Sequence, residues 1–585
     1  MKNAQSILIL LVILFPWLGA IILVALRQAQ EKTQHWLASA FSLLTALASW
    51  LLLFFNNTQI ISIPLGGIFG KIEFVSDGLA ILLVIIATSI GSLAILFSTS
   101  YMKGESQLSR YYSLILLFIG SMTGLVLSSN AFYLFVFWEM TAFCSYALIS
   151  FYNDDPKAVR GGLKAFIITQ LGGIGLLIGI MMIYTDIHTL SIPVILESAS
   201  TLPTLTLQIA GFGFILAAAA KSAQVPLHTW LPDAMEAPTP ISALIHAATM
   251  VNAGVYLLVR FYPAFETVQG WNLVIVIIAC ATSLLAAIMA SVAFDLKRVL
   301  AYSTISQLGY MVYAIGVGGL FSSQFHLLSH AIFKALLFLS AGAIIHSLGT
   351  RDMRLMGGLS KKMPIIRNVF IIGSLSLSGI PFLSGFWSKE SVLEHGREHG
   401  PLWTYAIMLI TAGLTAYYTI RCVWMVFFGE SRSHMQPHKI SSMMKTTLTP
   451  LAFGSLTAWL LASPLSKFLQ SSMPFHHFHT YSFWEPFISV LASPYTYLTM
   501  VVIIIAIYGF FRIKKMKGLI HDFRGIIGFA ENGLGFDQFN KAFVTPTIWL
   551  AEGLRYTQTG ILNWNILGTL LGLLFLISAV LLGGI

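Results

Sequence analysis

AAAAKSAQVP, residues 217–226, sets a lysine at the end of an alanine row and a proline five positions later. The row closes an apolar run, so a helix of membrane-spanning character carries an ammonium group and then breaks. On the mildest scale a charge at bilayer depth costs at least ~2.5–3.5 kcal/mol, so Lys221 requires a partner or a wet cavity. Proline removes a backbone donor, and freed backbone groups are tolerated at membrane depth only beside protein or water. Such a helix reads as an ion-handling element.

The rest of the chain agrees. Of 585 residues, 57% are apolar and 10% charged, against about 25% charged in a soluble domain. The fold class is an all-α polytopic membrane protein with about 16 transmembrane helices, each stretch near the ~20 residues a bilayer requires. The first stretch (6–26) exceeds a signal-peptide core and is read as a span. Loops after odd-numbered stretches carry Arg27, Lys32, Lys103, Arg110, Arg351 and Arg354, whereas even-numbered ones hold Asp186, Glu197, Glu266 and Glu485. By the positive-inside rule the odd loops are cytoplasmic and both termini face outward. The formal charge of +10 is thereby assigned to membrane-facing loops and not to nucleic acid. Cys144, Cys280 and Cys422 lie in apolar runs without metal-ligand spacing and read as core residues.

LSLSGIPFLSGFWSKESVL (375–393) repeats the opening pattern in reverse order, with Pro381 before Lys389. The two lysines fall in the seventh and twelfth helices. A five-helix repeat contains an odd number of crossings, so its second copy is upside down, as in many transporters. The chain therefore divides into helices 1–3 (1–110), a first inverted repeat of helices 4–8 (111–260), a second of helices 9–13 (272–430), and helices 14–16 (431–585). The last part includes a basic, amphipathic surface segment at about 512–562. Helices 7 and 12 are discontinuous, at Pro226 and Pro381.

More ionisable groups stand where lipid should be. Glu139 sits in FVFWEMTAFCSY (135–146) and can pair with Lys221 across helices. FHLLSHAIFKALLFL (325–339) puts His326, His330 and Lys334 on one helical face at i, i+4 and i+8. His246 is isolated in ISALIHAATMVNAG (241–254). Imidazoles and buried lysine amines give and take protons readily, so these groups read as a proton file. The proline-rich HTWLPDAMEAPTPIS (228–242) reads as a rigid re-entrant or capping turn, and Asp295, Lys297 and Arg298 as a surface cluster. No glycine-rich nucleotide loop, cysteine cluster, haem or zinc spacing occurs, so redox chemistry, cofactors and metals are expected elsewhere.

FVFWEMTAFCSYALISFY, KSAQVPLHTWLPDAMEAPTPISALIHAATMVNAGVYLL, LKRVLAYSTISQLGYM, HAIFKALLFLSAGAIIH and GIPFLSGFWSKE resemble the antiporter-like proton-pumping subunits of NADH-quinone oxidoreductase (respiratory complex I), above all subunit L, or subunit 5. The resemblance runs through most of 60–430. It implies that Glu139 is the channel glutamate, Lys221 its paired lysine, His246 the eighth-helix histidine, His326, His330 and Lys334 the connecting groups, and Lys389 the exit lysine. It also implies a proton-translocating subunit, in a bacterial inner membrane, driven by quinone reduction in partner subunits. Those partners, including a neighbouring antiporter-like subunit, would hold the NADH, FMN, iron–sulfur and quinone sites. One departure stands in KAFIITQLGGIGLL (164–177): Gln170 and Gly173 occupy places where complex I members usually carry an arginine and an aspartate. This is more similar to the large subunit of multisubunit Na+/H+ antiporters. The alternative is thus a cation/proton antiporter subunit, or part of an inorganic-carbon uptake system.

Overall fold

The computed structural model describes residues 2–55, 58–64, 71–430, 437–515, 524–555 and 571. The helices, in chain order, are α1 (Lys2–Ala25), α2 (Glu31–Leu51), α3 (Gly78–Tyr101), α4 (Leu108–Leu127), α5 (Ala131–Ile149), α6 (Pro156–Ile187) and α7 (Thr204–Lys221). Next are α8 (Thr239–Arg260), α9 (Trp271–Val292), α10 (Leu296–Gly316), α11 (Leu320–Leu348), α12 (Pro364–Ser378) and α13 (Ser384–His399). Then come α14 (Leu402–Phe428), α15 (Ser442–Ser472) and α16 (Pro494–Arg512). Thirteen helices among the described residues are long and apolar enough to cross a membrane. The sixteenth apolar stretch, 563–583, lies outside the described residues except for residue 571.

Polar residues set the helix starts. Asp77 accepts from Ala80 N at 2.9 Å, Asn130 from Phe132 N at 2.9 Å and Asp295 from Arg298 N at 3.0 Å, each satisfying an orphan amide of the first turn. The surface segment forms a separate body, within which Arg524–Glu531 and Phe536–Arg555 are helical and Leu534 marks a kink with φ 53°. The expected all-α fold gains a small hairpin: β1 (Ile60–Pro64) runs antiparallel to β2 (Lys71–Val75), pairing Ile60 with Val75 and Pro64 with Lys71.

Burial explains which helices matter. α1, α2 and α6 keep one apolar face outward, including Ile21, Trp36 and Ile167, as a lipid-facing helix should. α8 is buried throughout its hydrophobic window and α11 nearly so. α11 packs on α3, α8, α10, α12, α13 and α15. A helix surrounded by protein can carry polar groups that lipid would reject. α6 and α7 approach closely because small residues face each other: a Cβ on Gly175 would come within 2.9 Å of Gly213 O.

Candidate functional site

α7 ends at Lys221, and the chain leaves helical geometry through Ser222–Pro226, with Ala223 at φ 49°. Side chains hold this turn in place. Ser222 Oγ donates to Val251 O at 2.6 Å, and Val225 N donates to Thr282 Oγ1 at 3.0 Å. Lys221 is fully buried. Its Nζ donates to Trp138 O and Thr141 Oγ1, both at 2.6 Å, and lies 4.0 Å from the Trp138 ring centroid.

Glu139 shares α5 with those acceptors, yet the expected direct pair with Lys221 is not made. The ammonium is occupied by a carbonyl and a hydroxyl. Glu139 Oε2 instead accepts from Gln170 Nε2, and its Oε1 has no hydrogen-bond partner. A Cβ on Gly173 would overlap Oε1. Gln170 and Gly173, noticed in the sequence only as a departure, are therefore the two residues that position this carboxylate: one holds it and the other makes room.

His246 lies in a π-helical turn, Leu244–Ala248, inside α8, a form frequent at functional sites. Both ring nitrogens are buried without a partner. Its ring stacks on Phe338, centroids 5.4 Å apart, and Phe338 is one turn beyond Lys334 on α11. Lys334 donates to Ser303 on α10. His330, one turn earlier, has both nitrogens unpartnered, and its ring centroid is 6.4 Å from that of His326. His326 bridges outward: Nδ1 is 3.0 Å from Ser388 Oγ and Nε2 3.2 Å from Gln307 Oε1.

Ser388 adjoins Lys389. α12 stops at Ser378, followed by Gly379 at φ 76° and Phe382 at φ 69°, before α13 begins at Ser384. A left-handed residue just past the last turn is the usual way a helix ends. Lys389 is buried and donates back to Leu377 O at 2.8 Å, one of the carbonyls that the break leaves without a helical partner. His246, Lys334, His330, His326 and Lys389 thus follow one another along α8, α11 and the α12–α13 break, and Glu139 and Lys221 stand at the α7 break.

The glutamates beyond Lys389 were not singled out from the sequence. Glu390 is buried, with Thr499 and Thr496 of α16 beside it, and Glu394 lies near Ser493. Glu390, Glu394 and Glu398 share one face of α13 by the i, i+4, i+8 rule. Glu394 and Glu398 border a cavity of about 220 Å³ with His395, His479 and Glu485. The signal was present as the glutamate spacing of KESVLEHGREH (389–399).

Around these groups, one further residue departs from its sequence-based placement. Lys297 is buried, donating to Ala237 O at 2.6 Å, and so is not part of a surface cluster; the ammonium instead caps the proline-rich turn. That turn is also tied by Arg351, which donates to both Glu236 oxygens at 2.9 Å and pairs with Asp295 at 3.0 Å. At the far end of α8, Arg260 forks onto Asp77, both side chains only 6% exposed. His476, from the connector between α15 and α16, is buried beside them at 2.8 Å from Val259 O. Burial, and then the Arg260 charge, lower its pKa to about 4.

Residues 128–415 match the family described as NADH:quinone oxidoreductase/Mrp antiporter, TM, and residues 63–112 match the complex I chain 5 N-terminus. NAD(P)H-quinone oxidoreductase chain 5 of a Synechocystis species is 42% identical over 63% of this chain and 56% of its own length. The chloroplastic subunit 5 of Mesostigma viride is 41% identical over 68% and 65%, and that of Chaetosphaeridium globosum 38% over 74% and 69%. The match thus spans less than two thirds of the first two of these relatives. Among solved structures, a chain of the Mrp complex from Dietzia sp. aligns with a TM-score of 0.81 at 28% identity, covering 98% of this chain and 63% of that one. A chain of the archaeal membrane-bound sulfane sulfur reductase aligns with 0.70 at 27%, covering 81% and 100%. With 69% of the Chaetosphaeridium subunit matched at 38% identity, this chain belongs to the NADH:quinone oxidoreductase/Mrp antiporter family of membrane proteins.

Proposed function

We propose that the chain is the proton-translocating membrane subunit of a complex I-like NADH-quinone oxidoreductase, in which quinone reduction by partner subunits drives protons outward. The observation that carries this reading is the set of ionisable groups inside the helix bundle, half-buried at Glu139 and buried at Lys221, His246, His326, His330, Lys334 and Lys389, in a chain that keeps its outer helix faces apolar. Aliphatic residues of equal size would pack at least as well as buried charges, so stability alone does not account for them.

Protons reach Lys221 from the cytoplasmic side. An approaching carboxylate stabilises the ammonium and a retreating one lets its proton go, so motion of Glu139 between Gln170 and Lys221 sets when Lys221 releases. The proton then moves by way of His246, Lys334, His330 and His326 to Lys389. Buried polar groups in native proteins are hydrogen-bonded, so the nitrogens of His246 and His330 without protein partners are met by water, the carrier between them. From Lys389 the row Glu390, Glu394 and Glu398 leads outward. Each proton moved against the membrane potential requires ~2.3 kcal/mol per 100 mV, supplied by the partners. These partners include a neighbouring antiporter-like subunit and hold the NADH, FMN, iron–sulfur and quinone sites.

Two inverted five-helix repeats, 111–260 and 272–430, account for the opposite order of lysine and break in α7 and α12–α13. The basic loops support a bacterial inner (plasma) membrane with both termini outward. A second reading, a subunit of a cation/proton antiporter or of an inorganic-carbon uptake system, uses the same groups. Gln170 and Gly173 favour it, because a neutral amide and a glycine stand where charges would couple neighbouring subunits. Donor-driven acidification of vesicles carrying the native complex tests the proposal. Lys221→Ala and Lys389→Ala should each lower acidification by the protons this subunit carries, and normal pumping by both would overturn it. Co-purification with antiporter subunits and no quinone-reducing partner would select the second reading.

A further inference from the structure

α1 and α4 pack against each other, with Ser109 Oγ donating to Leu23 O at 2.6 Å and Ser113 Oγ to Ala20 O at 3.1 Å, and a groove runs along this seam at the end that the basic loops assign to the cytoplasm. The cleft between them has a volume of about 1070 Å³, with Trp17 and Leu117 at its floor and Arg27 and Arg110 at its mouth. Ile21 and Val24, 66% and 57% exposed, line its wall. From Trp17 to Arg27 is ten helical residues, about 15 Å of rise. That is about half of the ~30 Å hydrocarbon core. The cleft is therefore one leaflet deep, apolar below and polar at the top, and too short for a spanning helix of a partner.

Arg27 and Arg110, with Lys103 acting on Glu31, outnumber the two carboxylates at the mouth. Glu31 is already engaged by His35 Nε2 at 3.1 Å and by Gly104 N at 3.2 Å, and Glu105 accepts from Tyr152 OH at 3.3 Å. Arg110 uses one amine on Gln107 Oε1 at 3.0 Å and faces the Phe151 ring. The Arg27 guanidinium is exposed and makes no hydrogen bond among the described residues. Two guanidinium groups therefore stand above an apolar slot in the leaflet where anionic lipids concentrate.

We propose that this cleft is a binding site for one anionic diacyl phospholipid, its phosphate held by Arg27 and Arg110 and its chains lying along Ile21, Val24 and Leu117. The lipid would brace α1 and α4, and the site lies apart from the proton-handling groups.

The test uses the intact native complex, reconstituted in nanodiscs of mixed phosphatidylglycerol and phosphatidylcholine, re-extracted into mild detergent and examined by native mass spectrometry of the released chain. The expected result is one phosphatidylglycerol retained per chain. The pair Arg27→Gln/Arg110→Gln should weaken retention about 30-fold, roughly fivefold for each cation at a lipid headgroup. Val24→Trp, which fills the slot and leaves both arginines, should also abolish it and keeps the test decisive where the double variant fails to assemble. Equal retention of phosphatidylcholine, unchanged retention in the variants, or a partner polypeptide crosslinked into the cleft would each overturn the proposal.

Discussion

Gly173→Ala is the sharpest perturbation that the site offers. The new methyl carbon overlaps Glu139 Oε1, which has no other partner, so the carboxylate must rotate away from Gln170 Nε2. A hydrogen bond to a charged group is worth about 1.5–3 kcal/mol. At 1.4 kcal/mol per factor of ten, losing it shifts the balance between Gln170-bound and free Glu139 by about 10- to 100-fold. If Glu139 works by moving between Gln170 and Lys221, the share of donor-driven proton pumping that this subunit carries should fall by about tenfold in vesicles, while electron transfer to quinone persists. Gly175→Ala is the control. Its methyl carbon would sit 2.9 Å from Gly213 O in the same α6–α7 contact but touches no carboxylate, so it should lower thermal stability and spare the proton-to-electron ratio. Wild-type pumping by Gly173→Ala at unchanged thermal stability would refute the positioning role.

Removing one member of the buried Asp77–Arg260 fork leaves the other charge uncompensated, so Asp77→Ala should cost about 3–5 kcal/mol. Asp77→Leu with Arg260→Met should cost less, as thermal unfolding in detergent would show; an equal or larger loss in the double variant would contradict this. His476 has a folded pKa of about 4, against about 6.5 unfolded. Between these values the unfolded chain binds a proton that the folded one does not. Stability should thus decline as pH falls from 6.5 and level off near 4, by up to about 3 kcal/mol. His476→Gln should remove that part of the pH profile, and an identical profile would exclude it. Glu390→Gln should slow outward release several-fold more than Glu398→Gln, because Glu390 is buried beside Lys389 whereas Glu398 is at the mouth of the cavity; equal rates in the pumping assay would argue against the glutamate row.

Composition and spacing made the fold legible because a bilayer enforces long apolar stretches and leaves each buried charge conspicuous. Lys221, Lys389 and the His326–His330–Lys334 face could be found for that reason alone. The residues that position them could not. Gln170 is an ordinary polar residue until α6 crosses α5 at Glu139, and Gly173 is one of several glycines in its run. Lys297 looked superficial because it begins a helix beside charged neighbours, yet the proline-rich turn folds over it. The β1–β2 hairpin was hidden in a short segment between spans, where three isoleucines in five residues carry little weight beside the helical pattern. His476 was unreadable because a connector histidine becomes buried only when residues hundreds of positions away close over it.

The central claim is that the two broken helices are ends of one proton route joined through α11. Lys334, buried and bonded to Ser303, is the middle of that link and touches neither break. The decisive measurement is the proton-to-electron ratio of a Lys334→Met complex in sealed vesicles, alongside its quinone-reduction rate and thermal stability. The account predicts a folded complex whose ratio drops by the protons this subunit carries. A ratio equal to that of the unaltered complex would contradict it.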